Sequence, residues 1–402
     1  MTMINIKTRP LPERMKGAVM PLVFVVCLIC AIIGMGLLML AFRAKMLGIR
    51  TGADIVARSA ADAAVAQAVF QMNEKLKVKP WDDSFLPSVA NNALLNCDAT
   101  FDYSVDKNAG IYTVQGTGKS GVSVRTVNGV LRLYSPFDYA IYARNTLELK
   151  STTIVDWYNS EPNDWPLQVG TSSTSADAIT LMSGTKINGD VVVGMGGDPE
   201  SVINSKISVT ITGDTYPMFS HPELPVIDVP SSLASGTLQA PIESTTTISS
   251  SGKYSGIDLP NGAVLTIAQP VKLYITGTMK LGTGAAVSIN NGASLVLYLA
   301  GSLLGNNSSG FNNATQNAKQ LRIYCLDSCE VVDFKNSSNF YGAIYAPNAS
   351  IDLKNGADVY GSIVGETFIL RNSATFFYDA SLRNLSVEDE AVRFVVCRWS
   401  EQ

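Results

Sequence analysis

The amino-acid sequence predicts a mainly β protein on a long N-terminal helix: a transmembrane and stalk helix, a small antiparallel sheet and then a parallel β-helix. Three observations lead to this prediction. Residues 17–42 contain no charged side chain, and about 20 apolar residues are enough to span a bilayer as a helix. Small and apolar residues then continue at helical spacing to residue 79. Beyond that point, short apolar runs alternate with polar turns, and some of these runs recur.

Residues 1–16 form a basic leader in front of the apolar segment. A secretory signal has a shorter apolar core, of about 7 to 15 residues, and a small-residue cleavage site on its far side. Here the far side, residues 42–45, reads Phe-Arg-Ala-Lys, which is a poor cleavage site. Two interpretations remain open. Either the leader is cut between Gly17 and Ala18, which leaves the helix on the mature protein, or the segment is an uncleaved signal anchor.

The transmembrane helix at residues 17–42 continues into a helical stalk at residues 43–79, and Pro80 ends it because proline does not fit a helix interior. Small and apolar residues recur in the stalk at spacings of four and three, which gives a narrow seam. Alanines in such a seam let a neighbouring helix approach closely. The seam therefore packs either against neighbouring helices or on the protein's own globular domain. Its members are Ile49, Ala53, Val56, Ala60, Ala63 and Phe70, with Gln67 as the polar exception.

A small α+β domain is predicted at residues 80–136. Four short alternating runs between residues 101 and 133 read as strands of an antiparallel sheet. Asn128-Gly129 is the strongest hairpin signal among the turns between them. A small sheet packed on the stalk accounts for this pattern.

Residues 137–385 are predicted to form the β-helix, because short apolar runs follow one another with no room for helices. Residues 273–277 recur at 297–301, and residues 341–345 recur at 360–364. Such a period with strand-only content favours a solenoid over the alternative, a β-sandwich, since one repeat cannot bury its inner face alone. Residues 217–241 hold five prolines and read as an extended surface excursion. The predicted interior ladder comprises Ile344, Ile351, Leu353, Ile363, Ile369 and either Phe368 or Leu370, and residues 386–402 are predicted as a C-terminal cap.

Charge and composition narrow the function classes. The net charge of −4 argues against nucleic-acid binding, which needs a basic face. Only 16% of the residues are charged, below the usual quarter or so, and Ser, Thr, Asn and Gly fill the deficit. Basic residues flank the apolar segment evenly, so they do not decide its orientation. The leader and the polar, adhesin-like composition place the C-terminal part outside the cytoplasm.

Two of the six cysteines lie in the apolar segment, and the other four belong to the large C-terminal part. Three residues separate Cys325 from Cys329, and a turn between them would bring the pair within disulfide range. A local disulfide is predicted there. A second bond, between Cys97 and Cys397, would tie the end of the chain to the stalk domain. Both bonds require an oxidising compartment.

Little in the sequence indicates catalysis, and no catalytic residue, cofactor site or metal site is predicted. The single histidine, His221, lies in the Pro-rich segment without a second histidine, so it is interpreted as a surface-loop residue. Some β-helix lyases and hydrolases use clustered carboxylates with calcium or in general acid–base roles. Here no basic partner accompanies the acids in a recognisable motif. The carboxylates that lie near one another are Asp327, Glu330 and Asp333, and Asp352 and Asp358.

The basic leader with Lys16-Gly17, the uninterrupted apolar helix and the alanine-rich seam resemble the N-terminus of type IV pilus assembly proteins of the PilX-like, minor-pilin kind. The tail, over roughly residues 140–385, resembles a β-helical domain often fused to them. The segments that carry this likeness are NFYGAIYAPN at 339–348, VYGSIV at 359–364 and FYDASL at 377–382. The resemblance implies membrane insertion and assembly. Pilins usually carry glutamate at the fifth position after the cut, where this chain has Leu22.

The sequence therefore predicts a non-enzymatic, membrane-anchored surface protein, related to pilus assembly or minor pilins, that displays a β-helix for adhesion or structure. The expected partners are the membrane and pilin or other envelope subunits, with an extracellular polysaccharide or surface as a further candidate and no nucleic acid. Its extracytoplasmic domain would be held at the membrane or in a surface filament. Two alternatives remain: a membrane-anchored, carbohydrate-active β-helix enzyme, and an envelope scaffold that polymerises end to end.

Overall fold

The computed structural model is mainly β with one long apolar helix near the N-terminus, which confirms that part of the predicted fold class. Gly17, Ala18 and His221 lie outside the described residues. The chain divides into two compact units: residues 1–71, 85–131 and 396–402, and residues 72–84 and 132–395. The structure describes residues 19–158, 166–219, 222, 224–335, 338–354, 358–371, 374–384 and 386–401.

The long helix runs without interruption from Val19 to Leu76, over 58 residues. At about 1.5 Å per residue it is roughly 87 Å long. This confirms the prediction that the apolar segment and the stalk form one helix of about sixty residues. Short helical turns occur elsewhere, at Pro136–Asp138, Pro199–Val202, Ser231–Ala234, Ala318–Gln320 and Ala380–Arg383.

A five-stranded antiparallel sheet contains the four predicted runs. Its strands, in spatial order, are Ser88–Ala93, Thr100–Asn108, Ile111–Ser120, Ser123–Tyr134 and Arg393–Glu401. The two edge strands were not anticipated, and the last of them includes most of the predicted cap.

The hairpin predicted at Asn128-Gly129 is wrong. Both residues lie inside a strand, where Asn128 pairs with Gln115 and Gly129 pairs with Val114. The turn lies instead between Ser120 and Ser123, which pair with each other. The structure has room for a Cβ at Gly129, which would lie 3.4 Å from methyl groups of Val396 and Val65.

The second unit is built from parallel strands. Over the described residues, these strands form two sheets, one of 21 strands and one of four strands. The larger sheet contains Ile141–Leu149, Ile154–Tyr158, Gln168–Thr171, Ile179–Leu181, Lys186–Ile187, Asp190–Val193, Ile203–Ser205, Thr210–Ile211, Thr215–Pro217, Leu238–Gln239, Gly252–Tyr254, Ile257–Leu259, Pro270–Ile275, Met279–Leu281, Ser294–Leu299, Leu303–Asn307, Leu321–Cys325, Val331–Lys335, Phe340–Leu353, Val359–Leu370 and Thr375–Asp379. The smaller one contains Thr246–Ile248, Val264–Ile267, Ala286–Ile289 and Gly310–Asn313.

The strands pair in register from one sequence repeat to the next, and we call this assembly the parallel stack. Leu273 pairs with Leu297, which pairs with Ile323. Tyr341 likewise pairs with Tyr360. The two repeats recognised in the sequence are therefore neighbouring strands, and each repeat adds one layer.

The order of layers in the parallel stack differs from the order in the chain. Residues 238–379, the second run, stack upward until strand Val359–Leu370 pairs with strand Ile141–Leu149. Residues 141–217, the first run, continue upward from there to Thr215–Pro217. The first run thus lies on top of the second, although it comes earlier in the sequence.

Residues 218–237, which we call the strap, connect the top of the first run to the bottom of the second. Counting both end strands, eleven strands lie along this side of the parallel stack, so at about 4.8 Å for each of the ten steps the strap must cover roughly 48 Å. Its length suffices, because about twenty extended residues reach roughly 66 Å. The hydroxyl of Tyr345 donates to the carbonyl of Pro225 at 2.7 Å and holds the strap to the side of the stack. The predicted Pro-rich excursion is this connection.

The interior of the parallel stack is filled by apolar side chains that alternate with outward-facing ones. Of the predicted ladder, one member is wrong. Ile369 is only half-buried and faces outward, in register with Asp352 and Glu148. The alternation along this strand places both Phe368 and Leu370 inside instead. The fully buried members are Ile344, Ile351, Leu353, Ile363, Phe368 and Leu370.

Candidate functional site

The first half of the long helix is an uncovered apolar surface. Every residue from Met20 to Arg50 is exposed except Gly34, which is half-buried. Leu28 and Ile32 are 54% and 57% exposed. This helix is long and apolar enough to cross a membrane. An apolar surface of this extent is stable only in lipid or against other protein surfaces.

The second half of the helix packs closely on the antiparallel sheet of the first unit. Its buried face is made of small side chains, with Ala57, Ala61 and Ala64 fully buried. The facing strand carries glycine at the contact: a Cβ on Gly118 would lie 2.0 Å from the carbonyl oxygen of Ala57. A Cβ on Gly116 would lie 2.7 Å from the carbonyl oxygen of Ala61. Helix and strand backbones therefore touch.

The predicted seam is not the face that packs on the sheet. Ala60 is fully buried, but Ala53, Val56 and Ala63 are half-buried. The end members, Ile49 and Phe70, are each 57% exposed. Successive residues of a helix are rotated by about 100° around its axis. On this measure, the buried face lies about a quarter of a turn or more away from the seam. Most of the seam consequently remains available on the outer side of the helix.

Ion pairs hold the helix to the sheet where the exposed half begins. Asp54 accepts two hydrogen bonds from Arg125, at 2.6 Å to Nε and 2.5 Å to Nη2. Arg58 lies 3.4 Å from Glu401 of the last strand. Solvent screens such exposed pairs, so they contribute little to stability. They fix the direction of the helix more than they stabilise the unit.

The four cysteines of the predicted disulfides are all free thiols in the structure. Cys325 and Cys329 are buried and adjacent, and the hydrogen bond that the Cys325 thiol donates to Cys329, together with burial, raises the pKa of Cys325 well above its ordinary value. The exposed Cys97 and Cys397 each contact a backbone carbonyl, of Leu94 and Val130 respectively. Both predicted disulfides stay predictions. The thiols of the buried pair are within hydrogen-bond distance of each other.

Most of the carboxylates considered for catalysis are engaged by other groups. Asp333 lies 2.5 Å from Lys354, and Asp352 accepts from Arg371 at 2.7 and 2.8 Å. Asp358 accepts from the backbone N–H of Thr375. Asp327 accepts from Asn348, and Glu330 is exposed. The described residues contain no group of three or more His, Cys, Asp or Glu side chains placed to hold a metal ion.

Asp138 is a half-buried carboxylate that sequence reasoning did not single out. It lies in the short helical turn that leads into the first run of the parallel stack. Burial raises its pKa to about 6, and the charges of Arg132 and Arg383 oppose this shift. Tyr134, Tyr139 and Tyr378, whose own pKa values are raised by burial, are also close to it. No motif in the sequence marks this position.

Residues 226–385 match the family model of a domain of unknown function, DUF7305. The match begins in the strap and covers the second run of the parallel stack, about two fifths of the chain. No curated protein matches the sequence. Among solved structures, the competence-associated pilin ComZ from Thermus thermophilus is similar, with 12% identity over 87% of this chain and 97% of that chain and a TM-score of 0.23. A similarity at this level is too low to establish a shared fold.

Proposed function

We propose that this chain is a non-enzymatic, membrane-anchored subunit of a pilus or pilin-like assembly that displays a parallel β-helix outside the cytoplasm. The observation that carries the proposal is the division of the long helix into two halves. The first half exposes an apolar surface on all sides. The second half is fastened to a small antiparallel sheet by alanine-to-glycine contacts. This arrangement suits a subunit that is stored in the membrane and assembles through its helix.

The exposed seam supports assembly in particular. Ile49, Val56, Ala63 and Phe70 repeat every seven residues, which is the spacing of a coiled-coil seam. The two ends of this row are uncovered, with Ile49 and Phe70 each 57% exposed, and Val56 and Ala63 between them are half-buried. A second helix laid along the row would bury it.

The β-helix itself is part of the proposal. Its support is the repeated parallel register, in which Leu273, Leu297, Ile323 and Ile344 follow one another across neighbouring strands. These side chains are all buried. Each sequence repeat contributes up to three short strands, and each pairs with its equivalent in the next repeat. A solenoid produces this pattern, since every repeat then contacts only its neighbours.

Paired arginine substitutions test the anchoring role. Leu28→Arg with Ile32→Arg should release the full chain from membranes, because each arginine at a helix centre costs about 2.5 to 3.5 kcal/mol of insertion free energy. Ile49→Arg with Ile55→Arg is the matched control, since these residues are similarly exposed on the same helix but lie beyond the apolar segment. Carbonate extraction measures both variants. Equal release of the two variants, or a wild-type chain that is extracted by carbonate, would contradict the anchoring role.

Assembly is tested separately by shearing surface filaments from cells and probing them for the chain. The chain should co-purify with the filaments, and Ile49→Arg with Ile55→Arg should abolish co-purification while leaving membrane association intact. N-terminal sequencing of the mature protein should begin at Ala18 if the leader is cut. A chain that never accompanies filament or envelope components would refute the assembly role.

A carbohydrate-active enzyme is the second candidate, because Asp333, Asp352 and Glu148 lie on one outward face of the parallel stack. Cationic neighbours argue against catalysis: Lys354 contacts both aspartates, and Lys150 pairs with Glu148. A carboxylate held in an ion pair is a poor general acid. Incubation with polygalacturonate should therefore release no reducing sugar, and release that is lost in Asp352→Asn would establish the enzyme instead.

A further inference from the structure

A cavity of about 480 Å³ lies between the strap and one corner of the parallel stack. On the side of the stack it is lined by Asp327, Asn348, Arg144 and Ser172. These residues occupy the same corner in different layers. At this corner of each layer, the chain passes from one strand to the next. On the side of the strap the wall contains Pro225. The cavity is within the range of about 300 to 1,000 Å³ that is usual for ligand sites.

The polar side chains of this corner form a connected row. Nη1 of Arg144 donates to Oδ1 of Asn348 at 2.5 Å and to the carbonyl of Pro347 at 3.3 Å. Nδ2 of Asn348 donates in turn to Oδ1 of Asp327 at 3.0 Å. These bonds fix the orientation of all three side chains.

The row keeps hydrogen-bonding capacity for a ligand. Within the described part of the chain, no partner contacts Nε or Nη2 of Arg144 or Oδ2 of Asp327. The hydroxyl of Ser172 donates to the carbonyl of Arg144 at 2.8 Å, and its oxygen can still accept. Fixed donors and acceptors thus alternate along one wall of the cavity.

The other walls are apolar and equally fixed. Tyr142 is 2% exposed and contributes to the lining beside the rings of Pro225 and Pro347. The strap cannot easily withdraw, because Tyr345 donates to the carbonyl of Pro225 at 2.7 Å. The cavity therefore offers ring faces on one side and a polar row on the other.

These walls select among ligand classes. Among the described residues that line the cavity, Arg144 is the one cation and the carboxylate of Asp327 offsets it, which disfavours a phosphate ligand. Asp327 is also the one carboxylate among these described residues, which disfavours a metal ion. An acyl chain would leave the polar row without hydrogen bonds, at a cost for every unpaired group. A saccharide matches both walls, since its hydroxyls donate and accept while its ring C–H groups pack on the rings of Pro225 and Pro347.

We propose that this corner cavity binds a saccharide through Arg144, Asn348 and Asp327. The inference rests on the proposed function, because a domain displayed outside the cell meets polysaccharides. It adds a ligand class and three contact residues to that function.

The test uses the full-length chain in lipid nanodiscs and isothermal titration with cellotetraose, chitotetraose and tetragalacturonate. At least one of these probes should bind. Arg144→Ala and Asn348→Ala should each weaken that binding about tenfold, the effect expected from losing one or two hydrogen bonds to a polar ligand. Lys354→Ala is the matched control. It follows the strand that carries Asn348 but pairs with Asp333 on another face, so it should change the affinity less than twofold.

The proposal is overturned if none of the three probes binds, if binding survives in both corner variants, or if Lys354→Ala weakens it as much as they do. Thermal unfolding of each variant should match the wild type, because Arg144 is exposed and Asn348 is half-buried. Carbonate extraction of the same proteins separates the two proposals. A chain that stays in the membrane without binding any probe refutes the cavity alone, whereas a chain that is extracted but still binds refutes the anchoring role alone.

Discussion

Gly118→Ala tests the contact that joins the long helix to its sheet. The added Cβ would lie 2.0 Å from the carbonyl oxygen of Ala57 and 2.4 Å from the backbone nitrogen of Ala61. Carbon atoms approach other heavy atoms to about 3.5 to 4.0 Å at their optimum. The helix must therefore retreat by roughly 1.5 Å, and it cannot do so by rotating a side chain, since both opposing atoms belong to the backbone.

The cost follows from this displacement. Added methyl groups in a packed core typically cost about 1 to 3 kcal/mol. When the helix moves away from the sheet, a gap of about 0.5 to 1 Å already loses a quarter to a half of the energy of each van der Waals contact. We therefore expect a cost at the upper end of this range, about 3 kcal/mol. Hydrogen–deuterium exchange of the full chain in nanodiscs measures it locally. Amides of residues 57–72 should exchange about a hundredfold faster in Gly118→Ala.

Gly129→Ala is the matched control, on the neighbouring strand of the same sheet. Its Cβ would meet only side-chain methyl groups, of Val396 and Val65, both at 3.4 Å. Exchange of residues 57–72 should then change by less than about fivefold, equivalent to about 1 kcal/mol. The reasoning fails if Gly118→Ala exchanges within twofold of the wild type, or if both variants are affected alike.

Three further outcomes are expected. Asp138→Asn should stabilise the protein at pH 7 to 8 by at most about 3 kcal/mol and leave it unchanged below pH 4, because burial raises the folded pKa from 3.8 to about 6 and the charged form is then penalised. Glu148→Cys with Ile369→Cys should form a disulfide, since the two positions are partners in register. Native Cys325 and Cys329 should resist alkylation in the isolated protein until a reductant is added, which peptide mass spectrometry measures.

Each of these outcomes has a control. Asp258→Asn changes an exposed carboxylate of the parallel stack and should not alter the pH dependence of chemical denaturation. Glu148→Cys with Asp352→Cys places the cysteines two strands apart, about 9.6 Å, beyond disulfide range. A pH profile of Asp138→Asn that parallels the wild type would contradict the first expectation. Cross-linking of the distant pair, or immediate labelling of the native cysteines, would contradict the other two.

Local periodicity predicted the elements whose structure is determined by residues close together in the sequence. The long helix is apolar and then alanine-rich without interruption, and its predicted extent agrees with Val19–Leu76. The repeats at 273–277 and 297–301 pair as neighbours because similar sequences occupy equivalent layers. Alternation within Phe340–Leu353 likewise placed Ile344, Ile351 and Leu353 inside.

Features that depend on distant partners were not readable in this way. Several faces of an alanine-rich helix look alike, and the glycines at 116 and 118 decide which one packs. Asn128-Gly129 has the composition of a turn, but both residues pair with the neighbouring strand. The corner cavity joins Arg144 to Asn348, about two hundred residues away in the chain. The order of layers depends on which strand edges pair, and the repeated sequences do not indicate which edges these are.

The reversed order of the two runs delays completion of the parallel stack during synthesis. Glu148 pairs with Ile369, which is added 221 residues later. At about 5 to 20 residues per second, the lower edge of the first run waits roughly 10 to 40 s for its partner strand. An unpaired edge of this kind pairs readily with other chains. During this interval strand Ile141–Leu149 keeps an unpaired edge, and pairing with another chain would compete with completion of the parallel stack.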